Sequence, residues 1–435
     1  MLLQFNFSNY KSFKAEASLD LASSGISELS HHVVQLANEK ILPVSAIFGA
    51  NASGKSNVYK AFSYMRHLVV HSFRYGGSSD VTKASDESLR FPPPPRYAWS
   101  TQISEPASFE VYLMDPATLR TYNYGFMVDE KGIVEEWLNE KAKTARISKT
   151  IFFRSRDDQN SEYSGFSKTD TNNLLTALDP EVLLISLGNK LKVLKCRYIV
   201  QWFYQCETID YGDPGENFFL CHRLPDNFRE KATQDQVISF LSTFDDTIKG
   251  FRIEEVPAED QGGAKRIHIE ALHKATDSDE FVGIGFQHES AGTIKMFSLY
   301  PILMNVLSLG TVLFVDELNS RLHPLLVRNL IMLFSNPETN PHHAQLLFTT
   351  HDTWHLANKG LRRDEIWFTA KDSNGESTLY SLADFKTEEG TKKIRKDEQY
   401  EKNYLQGKYG AIPSVSSIRL LFPDFSVAEE APSYE

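Results

Sequence analysis

An α/β fold is predicted, with a mixed sheet, an antiparallel subsheet from the first strands and a helical insertion between two halves, and three observations carry it. A short apolar run, Ile41 to Phe48, enters a glycine-containing loop and is followed by Val58, Phe62, Met65 and Val69 at helical spacing. Two further apolar runs, Val312 to Val315 and Leu346 to Phe348, end in polar residues, as buried parallel strands do at the end where ligands collect. In-and-out alternation marks strands at the start of the chain and again from about Ser108 to Phe153.

The elements follow in order. Leu3, Phe5 and Phe7 alternate with polar neighbours, the chain turns at Ser8-Asn9, and Ala17, Leu19 and Leu21 resume the pattern, which reads as an antiparallel hairpin. The strand, loop and helix over residues 41–69 come next. Gly76 to Pro95, rich in Gly, Ser and Asp and holding Pro92 to Pro95 in succession, reads as a surface excursion. Phe109, Val111 and Leu113, then Tyr122, Tyr124, Phe126 and Val128, continue a sheet. Arg154 to Gly250 is mostly helical and irregular, without sustained heptads, and reads as a compact inserted subdomain. Strands return at Phe251–Val256, Arg266–Leu272 and Phe281–Phe286, ahead of a helix from Thr293. No internal repeat is evident. The expected organisation is a first lobe half over 1–153, an insertion over 154–250, a second lobe half over 251–370 and a carboxyl-terminal extension over 371–435.

Composition narrows the class. The 435 residues are 41% hydrophobic and 24% charged, with a mean hydropathy of -0.35, as in soluble globular chains. No stretch is expected to approach the ~18 apolar residues of a membrane span, and the start MLLQFNFSNYKSF lacks the features of a signal peptide, so the expectation is a cytoplasmic protein with no membrane partner. Cys196, Cys206 and Cys221 form neither a CxxC pair nor a zinc-finger spacing and read as reduced thiols. A net charge of -11 rules out one broad cationic platform for nucleic acid and leaves room for a local basic groove.

Four motifs carry chemistry. Gly49-Ala50-Asn51-Ala52-Ser53-Gly54-Lys55-Ser56 fits G-x-x-x-x-G-K-[ST] between a strand and a helix. Its small residues let backbone N–H groups wrap a phosphate chain, Lys55 places a cation on the terminal phosphates, and Ser56 is a ligand for Mg²⁺. Gly49, Asn51, Ser53, Gly54, Lys55, Ser56 and Asn57 are the candidate ATP-binding residues of this P-loop. Asp316 and Glu317 end the run Val312–Val315, where Asp316 would hold the metal and Glu317 would act as general base. His351, in Thr349-Thr350-His351-Asp352 after another apolar strand, is a candidate for the γ-phosphate or the attacking water. Glu289-Ser290-Ala291-Gly292-Thr293 stands directly before a helix, where Ser290 is at least an N-cap and, with Gly292, a second anion site.

In this order the motifs resemble the RecF/SMC branch of ABC-type ATPases: phosphate loop, Ser-Ala-Gly-Thr signature, Asp-Glu-Leu followed by Leu322-His323-Pro324, and the Thr-Thr-His-Asp switch. The opening Phe7-Ser8-Asn9-Tyr10-Lys11-Ser12-Phe13 is similar to the start of that branch. Arg363-Asp364-Glu365-Ile366-Trp367-Phe368, Leu379-Tyr380-Ser381-Leu382 and Tyr404-Leu405-Gln406-Gly407-Lys408-Tyr409-Gly410-Ala411-Ile412-Pro413 give a narrower likeness. They resemble AAA-family ATP-binding proteins of prokaryotic abortive-infection and phage-defence loci, such as RloA-like, AbiL-like, Septu (PtuA) and PARIS (AriA) ATPases. The resemblance implies an ABC-type ATPase head that uses ATP and Mg²⁺. It implies a homodimer, or a higher oligomer, sandwiching two ATP molecules head to tail, with Lys55, Ser56, Asp316, Glu317 and His351 from one subunit facing Ser290 and Gly292 of the other. It further implies a sensor or regulator whose ATP occupancy controls an effector from the same locus, a nuclease or TOPRIM-like protein.

Departures and rivals bound the reading. Glu289 and Ala291 stand where transporters carry leucine and glycine, the long coiled coil of SMC proteins is missing, and no glutamine is fixed as a Q-loop, although Gln102 lies in a suitable stretch. A RecF-like repair ATPase that clamps DNA is the alternative. A self-sufficient nuclease would need a further metal site, for instance at Asp157 with Asp158 or Asp277 with Asp279 and Glu280, stretches that read as solvated loops.

Overall fold

The structure, a computed structural model, describes residues 1–77, 90–97, 99, 105–157, 160–216, 223–257, 265–357, 360–385 and 398–412. Gln102, Cys221, Asp158, Pro413 and much of the expected excursion at 76–95 lie outside these residues.

In chain order, β1 (Leu2–Ser8) and β2 (Ala17–Asp20) form the expected antiparallel hairpin, with Phe5 opposite Leu19 and Phe7 opposite Ala17. A short hairpin, β3 (Val34–Leu36) and β4 (Glu39–Ile41), leads into β5 (Val44–Gly49), the phosphate loop and α1 (Lys55–His71). Four antiparallel strands follow: β6 (Ala107–Met114), β7 (Thr121–Asp129), β8 (Gly132–Lys141) and β9 (Lys149–Ser155). Then come α2 (Lys168–Thr176), α3 (Leu184–Lys190), α4 (Leu194–Gln205), β10 (Glu207–Asp210) and α5 (Lys231–Leu241). Strands β11 (Ile248–Pro257), β12 (Lys265–Lys274) and β13 (Phe281–Gly285) form their own antiparallel sheet. The remainder is α6 (Ala291–Leu309), β14 (Val312–Asp316), α7 (Pro324–Ser335), β15 (Gln345–Thr349), α8 (Trp354–Ala357), β16 (Ile366–Lys371), β17 (Ser377–Ser381) and α9 (Tyr400–Leu405).

Two six-stranded sheets organise these elements. One is antiparallel, in the order β2-β1-β6-β7-β8-β9; the other is mixed, β10-β14-β15-β5-β16-β17, parallel throughout except for β17 at its edge. The period-2 rule divides the mixed sheet's side chains between two cores. Ile47, Phe314, Leu347 and Trp367 face a core shared with α1, α3, α4 and the antiparallel sheet, while Val44, Ala46, Phe48, Leu313 and Val315 face α6 and α7. Phe62 of α1 sits at the junction of the first core, edge-on to Phe5 with centroids 5.4 Å apart, and 5.7 Å from Phe314 and 6.1 Å from Phe203.

Three expectations meet corrections. Leu2 rather than Leu3 is the buried leucine of β1, because the pairing with β6 shifts register between Leu2 and Gln4, and a one-residue slip exchanges the faces. The stretch 154–250 holds four described helices yet is not self-contained: β10 pairs in parallel with β14 as an edge of the mixed sheet, and α3 and α4 join the core of α1. Finally, α6 is long and apolar enough to cross a membrane by length and composition, contrary to the reading that no stretch approaches this; 61% of its apolar window is buried within the protein. Its Met296, Phe297, Leu299, Ile302, Leu303 and Val306 are core residues. Cys196 and Cys206 are free and buried, and burial pushes both thiols up, Cys206 to about 12.

Because Phe62 joins β1, α4 and β14 in one cluster, Phe62→Ala is expected to destabilise the fold by about 3–5 kcal/mol, read as a lowered urea midpoint with a nearly unchanged m-value.

Candidate functional site

The carboxyl ends of β5, β15 and β14 lie side by side, since β15 pairs in parallel with both neighbours. Each strand ends in one of the sequence motifs. The structure therefore brings together Gly49 to Asn57, Asp316 with Glu317, and Thr349 to Asp352.

The phosphate loop is fastened from several directions. A Cβ at Gly49 would lie 2.5 Å from Thr369 Oγ1 and 2.6 Å from Ser53 Oγ, so only glycine permits β16 to approach this closely. Gly54 has a φ of 116° and faces Ser377 Oγ in the same way at 2.7 Å. Ser53 Oγ is 2.6 Å from Thr369 Oγ1, and Ser377 Oγ donates to the Ser53 carbonyl at 2.7 Å. Asn57 Nδ2 donates to Ser12 Oγ at 2.7 Å, and the Ser377 N–H donates to the Ser12 carbonyl at 2.7 Å. The Ala50 N–H donates to the Ala411 carbonyl at 3.1 Å. That tail segment is itself held by Phe368, whose ring stacks on Tyr404 and Tyr409 at 5.5 and 5.4 Å. Asn51 is exposed at the loop tip.

Lys55 opens α1 and turns back over the loop, donating to the Gly49 and Ala50 carbonyls at 2.8 and 2.9 Å. Burial holds its ammonium below the ordinary lysine range, while Asp316 and Glu317 pull the other way. Asp316 is buried at the end of β14, its Oδ1 accepting from Thr349 Oγ1 at 2.5 Å. The same hydroxyl oxygen accepts the Glu317 N–H at 2.9 Å. Glu317 has a φ of 54°, a left-handed backbone that costs a non-glycine residue about 1–3 kcal/mol and persists only where surroundings over-determine it. Here Thr349 supplies two contacts, the second through its carbonyl to the Leu318 N–H. Lys295 of α6 supplies two more, donating to the Leu318 and Ser320 carbonyls at 2.9 and 2.6 Å. Its ammonium lies 3.5 Å from the Tyr211 ring centroid, and burial lowers its pKa to about 7.

His351 is exposed, and its Nε2 faces Asn319 Nδ2 at 3.2 Å while Asn319 Oδ1 accepts from Thr350 Oγ1 at 2.9 Å. An amide N–H donates, so this contact is a hydrogen bond when the ring proton sits on Nδ1. Asp210, the last residue of β10, lies level with Asp316 across the parallel pair. Burial, and then the Asp316 charge, push its carboxyl up, and Lys60 at 3.8 Å opposes them.

Ser290 is the N-cap of α6, accepting the Thr293 N–H at 3.1 Å. A Cβ on Gly292 would lie 3.4 Å from the Arg321 carbonyl and 3.8 Å from Ser290 Oγ. Gly292 thus sits beside the turn after β14, and Ser290 bonds within its own helix end.

The donor set fits Mg²⁺. Among the described residues no group of three or more His, Cys, Asp or Glu could hold a metal ion; Asp277, Asp279 and Glu280 form no such group, and the pair Asp157 with Asp158 falls partly outside the described residues. A cation that keeps most of its waters needs only one or two hard oxygens, such as the Ser56 hydroxyl and the Asp316 carboxylate, and phosphates supply the rest. Ser12, Lys295, Asn319, Thr349, Thr369 and Ser377 were not singled out by the motifs. Ser12 lies within the Phe7–Phe13 segment and Thr349 opens the Thr-Thr-His-Asp motif, although neither is assigned a role there; the others carry no local signal.

A family model described as "AAA domain, putative AbiEii toxin, Type IV TA system" matches residues 44–176 and 218–354, more than half of the chain. No curated protein matches. Among solved structures the chain is similar to the SMC head domain from Thermotoga maritima, with 15% identity and a TM-score of 0.38 over 87% of this chain and 98% of that one. At that score the likeness carries nothing further.

Thr349→Val keeps the shape of the side chain and leaves Asp316 Oδ1 and the Glu317 N–H without their buried partner. It is expected to lower ATP turnover at least about tenfold, the equivalent of one lost buried hydrogen bond, while equilibrium binding of a fluorescent ATP analogue changes less than turnover does.

Proposed function

The chain belongs to the AAA-domain family whose description names a putative AbiEii toxin and a type IV toxin–antitoxin system, and we propose that it is a Mg²⁺-dependent ATPase whose nucleotide state regulates a partner protein in prokaryotic anti-phage defence. The observation that carries the ATPase reading is the convergence of Lys55, which follows β5, with Asp316 and Glu317, at the end of β14, on either side of the parallel strand β15.

The loop's N–H groups and the start of α1 would receive the phosphates of ATP, with Lys55 moving from its two carbonyls to the β- and γ-phosphate oxygens. When bound, Mg²⁺ would neutralise charge on those oxygens, held by Ser56 and Asp316. Glu317 would accept the proton of a water whose oxygen attacks the γ-phosphorus as the bond to ADP breaks. His351, its Nε2 turned to Asn319, would orient that water or meet the γ-phosphate. Ser290 and Gly292 lie outside this constellation, which supports the reading that they serve the γ-phosphate of a second subunit in a head-to-tail dimer, with two ATP molecules between the copies.

Regulation of a partner rests on the family's description and on the defence-locus likeness of the tail, which the reading extends to a nuclease or TOPRIM-like effector and to the cytoplasm. Co-purification with proteins encoded beside the gene, with and without ATP, tests it: an effector held in one nucleotide state and released in the other is expected, and its independence of nucleotide would overturn the regulatory part.

Two expectations test the site. Glu317→Gln should bind ATP and Mg²⁺ yet turn over at least about 100-fold more slowly and collect as a dimer in size-exclusion chromatography; normal turnover would place the base elsewhere. Lys55→Ala and Ser290→Arg should each be inactive alone. Mixed, they should recover partial activity, because in a hybrid dimer one site bears both defects and the other neither. Absence of recovery between subunits shown to exchange would remove the shared-site reading.

A further inference from the structure

At 17 residues, α1 carries its last turn about 25 Å from the phosphate loop. There a cavity of about 380 Å³ opens against α3 and α4, with His71, Arg74, Lys190, Arg197 and Tyr204 in its wall. The volume falls within the range of small-ligand sites.

Its charge is out of keeping with the rest of the chain. The net charge is -11, yet residues 55–77 and 182–206 contain no Asp or Glu at all. Nearby cations are matched to carboxylates: Lys195 lies 2.7 Å from Glu140, Arg154 2.9 Å from Glu136 and Arg156 2.7 Å from Asp129. Arg74, Lys190 and Arg197 have no carboxylate partner among the described residues. Arg74 and Lys190 instead flank the Phe73 ring, 5.8 and 5.1 Å from its centroid. Three like charges around one cavity repel one another, and an anion among them relieves that repulsion. Tyr204 completes the wall and is 69% exposed, so most of its surface is open to a ligand.

We propose that this cavity binds a nucleotide unit distinct from the hydrolysed ATP, its phosphate held by Arg74, Lys190 and Arg197 and its base stacked on Tyr204. Guanidinium groups suit phosphate through paired N–H donors, and an aromatic face accepts any base. The unit comes either from a free nucleotide or from a single strand of nucleic acid, and the same wall chemistry serves both. The site stands on its own residues and does not depend on the role assigned to the phosphate loop.

The test uses the full chain, a fluorescein-labelled oligothymidylate followed by anisotropy, and thymidine 5′-monophosphate as competitor. Wild type is expected to bind the oligonucleotide, with log affinity falling linearly with log salt. Lys190→Glu with Arg197→Glu should weaken binding at least about tenfold and flatten that slope by about 1 to 1.5, as for two lost phosphate contacts on a single strand. Tyr204→Ala should weaken binding by roughly 5- to 150-fold with the slope unchanged. ATP turnover and melting temperature should stay near wild type in each; should the double variant fold poorly, Arg74→Gln carries the same expectation for one contact. A monophosphate that competes as tightly as the oligonucleotide binds supports a free nucleotide as the source, and one that competes only weakly or not at all supports a strand. Undiminished binding by the charge-reversed protein, or no binding of either probe by wild type at low salt, overturns the proposal.

Discussion

Three parallel strands, β14, β15 and β5, hydrogen-bond in register, and the site inherits its geometry from that constraint. Since the strands run parallel and their ends fall close together, a loop, a pair of acids and a histidine that are distant in sequence emerge at one edge. Thr349 then converts proximity into fixed geometry, its single side-chain oxygen serving both the Asp316 carboxylate and the Glu317 backbone. The left-handed Glu317 is held from two sides, by β15 through Thr349 and by α6 through Lys295. Strain of that kind is tolerable because several elements of the fold contradict its release.

How much of this the sequence discloses depends on whether a feature is local. The phosphate loop, the acids after β14 and the cap at Ser290 are each written within a few consecutive residues, because the chemistry of a turn or helix end needs neighbours in the chain. The braces are different. Thr369 and Ser377 are ordinary β-strand residues until the fold brings their hydroxyls to Ser53. Lys295 reads as a charge on a helix that is otherwise apolar, and only packing turns it towards the carbonyls at 318 and 320. Leu2 is fully buried and Leu3 only partly so, through a register shift that alternation alone does not reveal. Asp210 belongs to the same class: a stretch read as insertion delivers a strand whose last carboxylate stands beside Asp316.

Between the two sheets α1 does double duty. Its first turn presents Lys55, its apolar side fixes the first core through Phe62, and its last turn reaches the basic cavity with Val70 and His71, just ahead of Arg74. A rigid helix shared by both places gives them a common mechanical reference, although the proposed second site shares no residue with the phosphate loop.

The brace between Ser377 and Ser12 spans 365 residues of chain. A ribosome adding about 5–20 residues per second needs roughly 20 to 70 seconds to cover that interval. During that time the phosphate loop has been made but lacks the hydroxyls of Ser377 and Thr369 that hold it in shape. Strand β15, which must enter between β14 and β5, is also made late, so β5 leaves the ribosome without either of its parallel neighbours. The phosphate loop is therefore one of the first parts of the site to be made and one of the last to be braced, since it takes its held shape only after the strands carrying Thr369 and Ser377 exist.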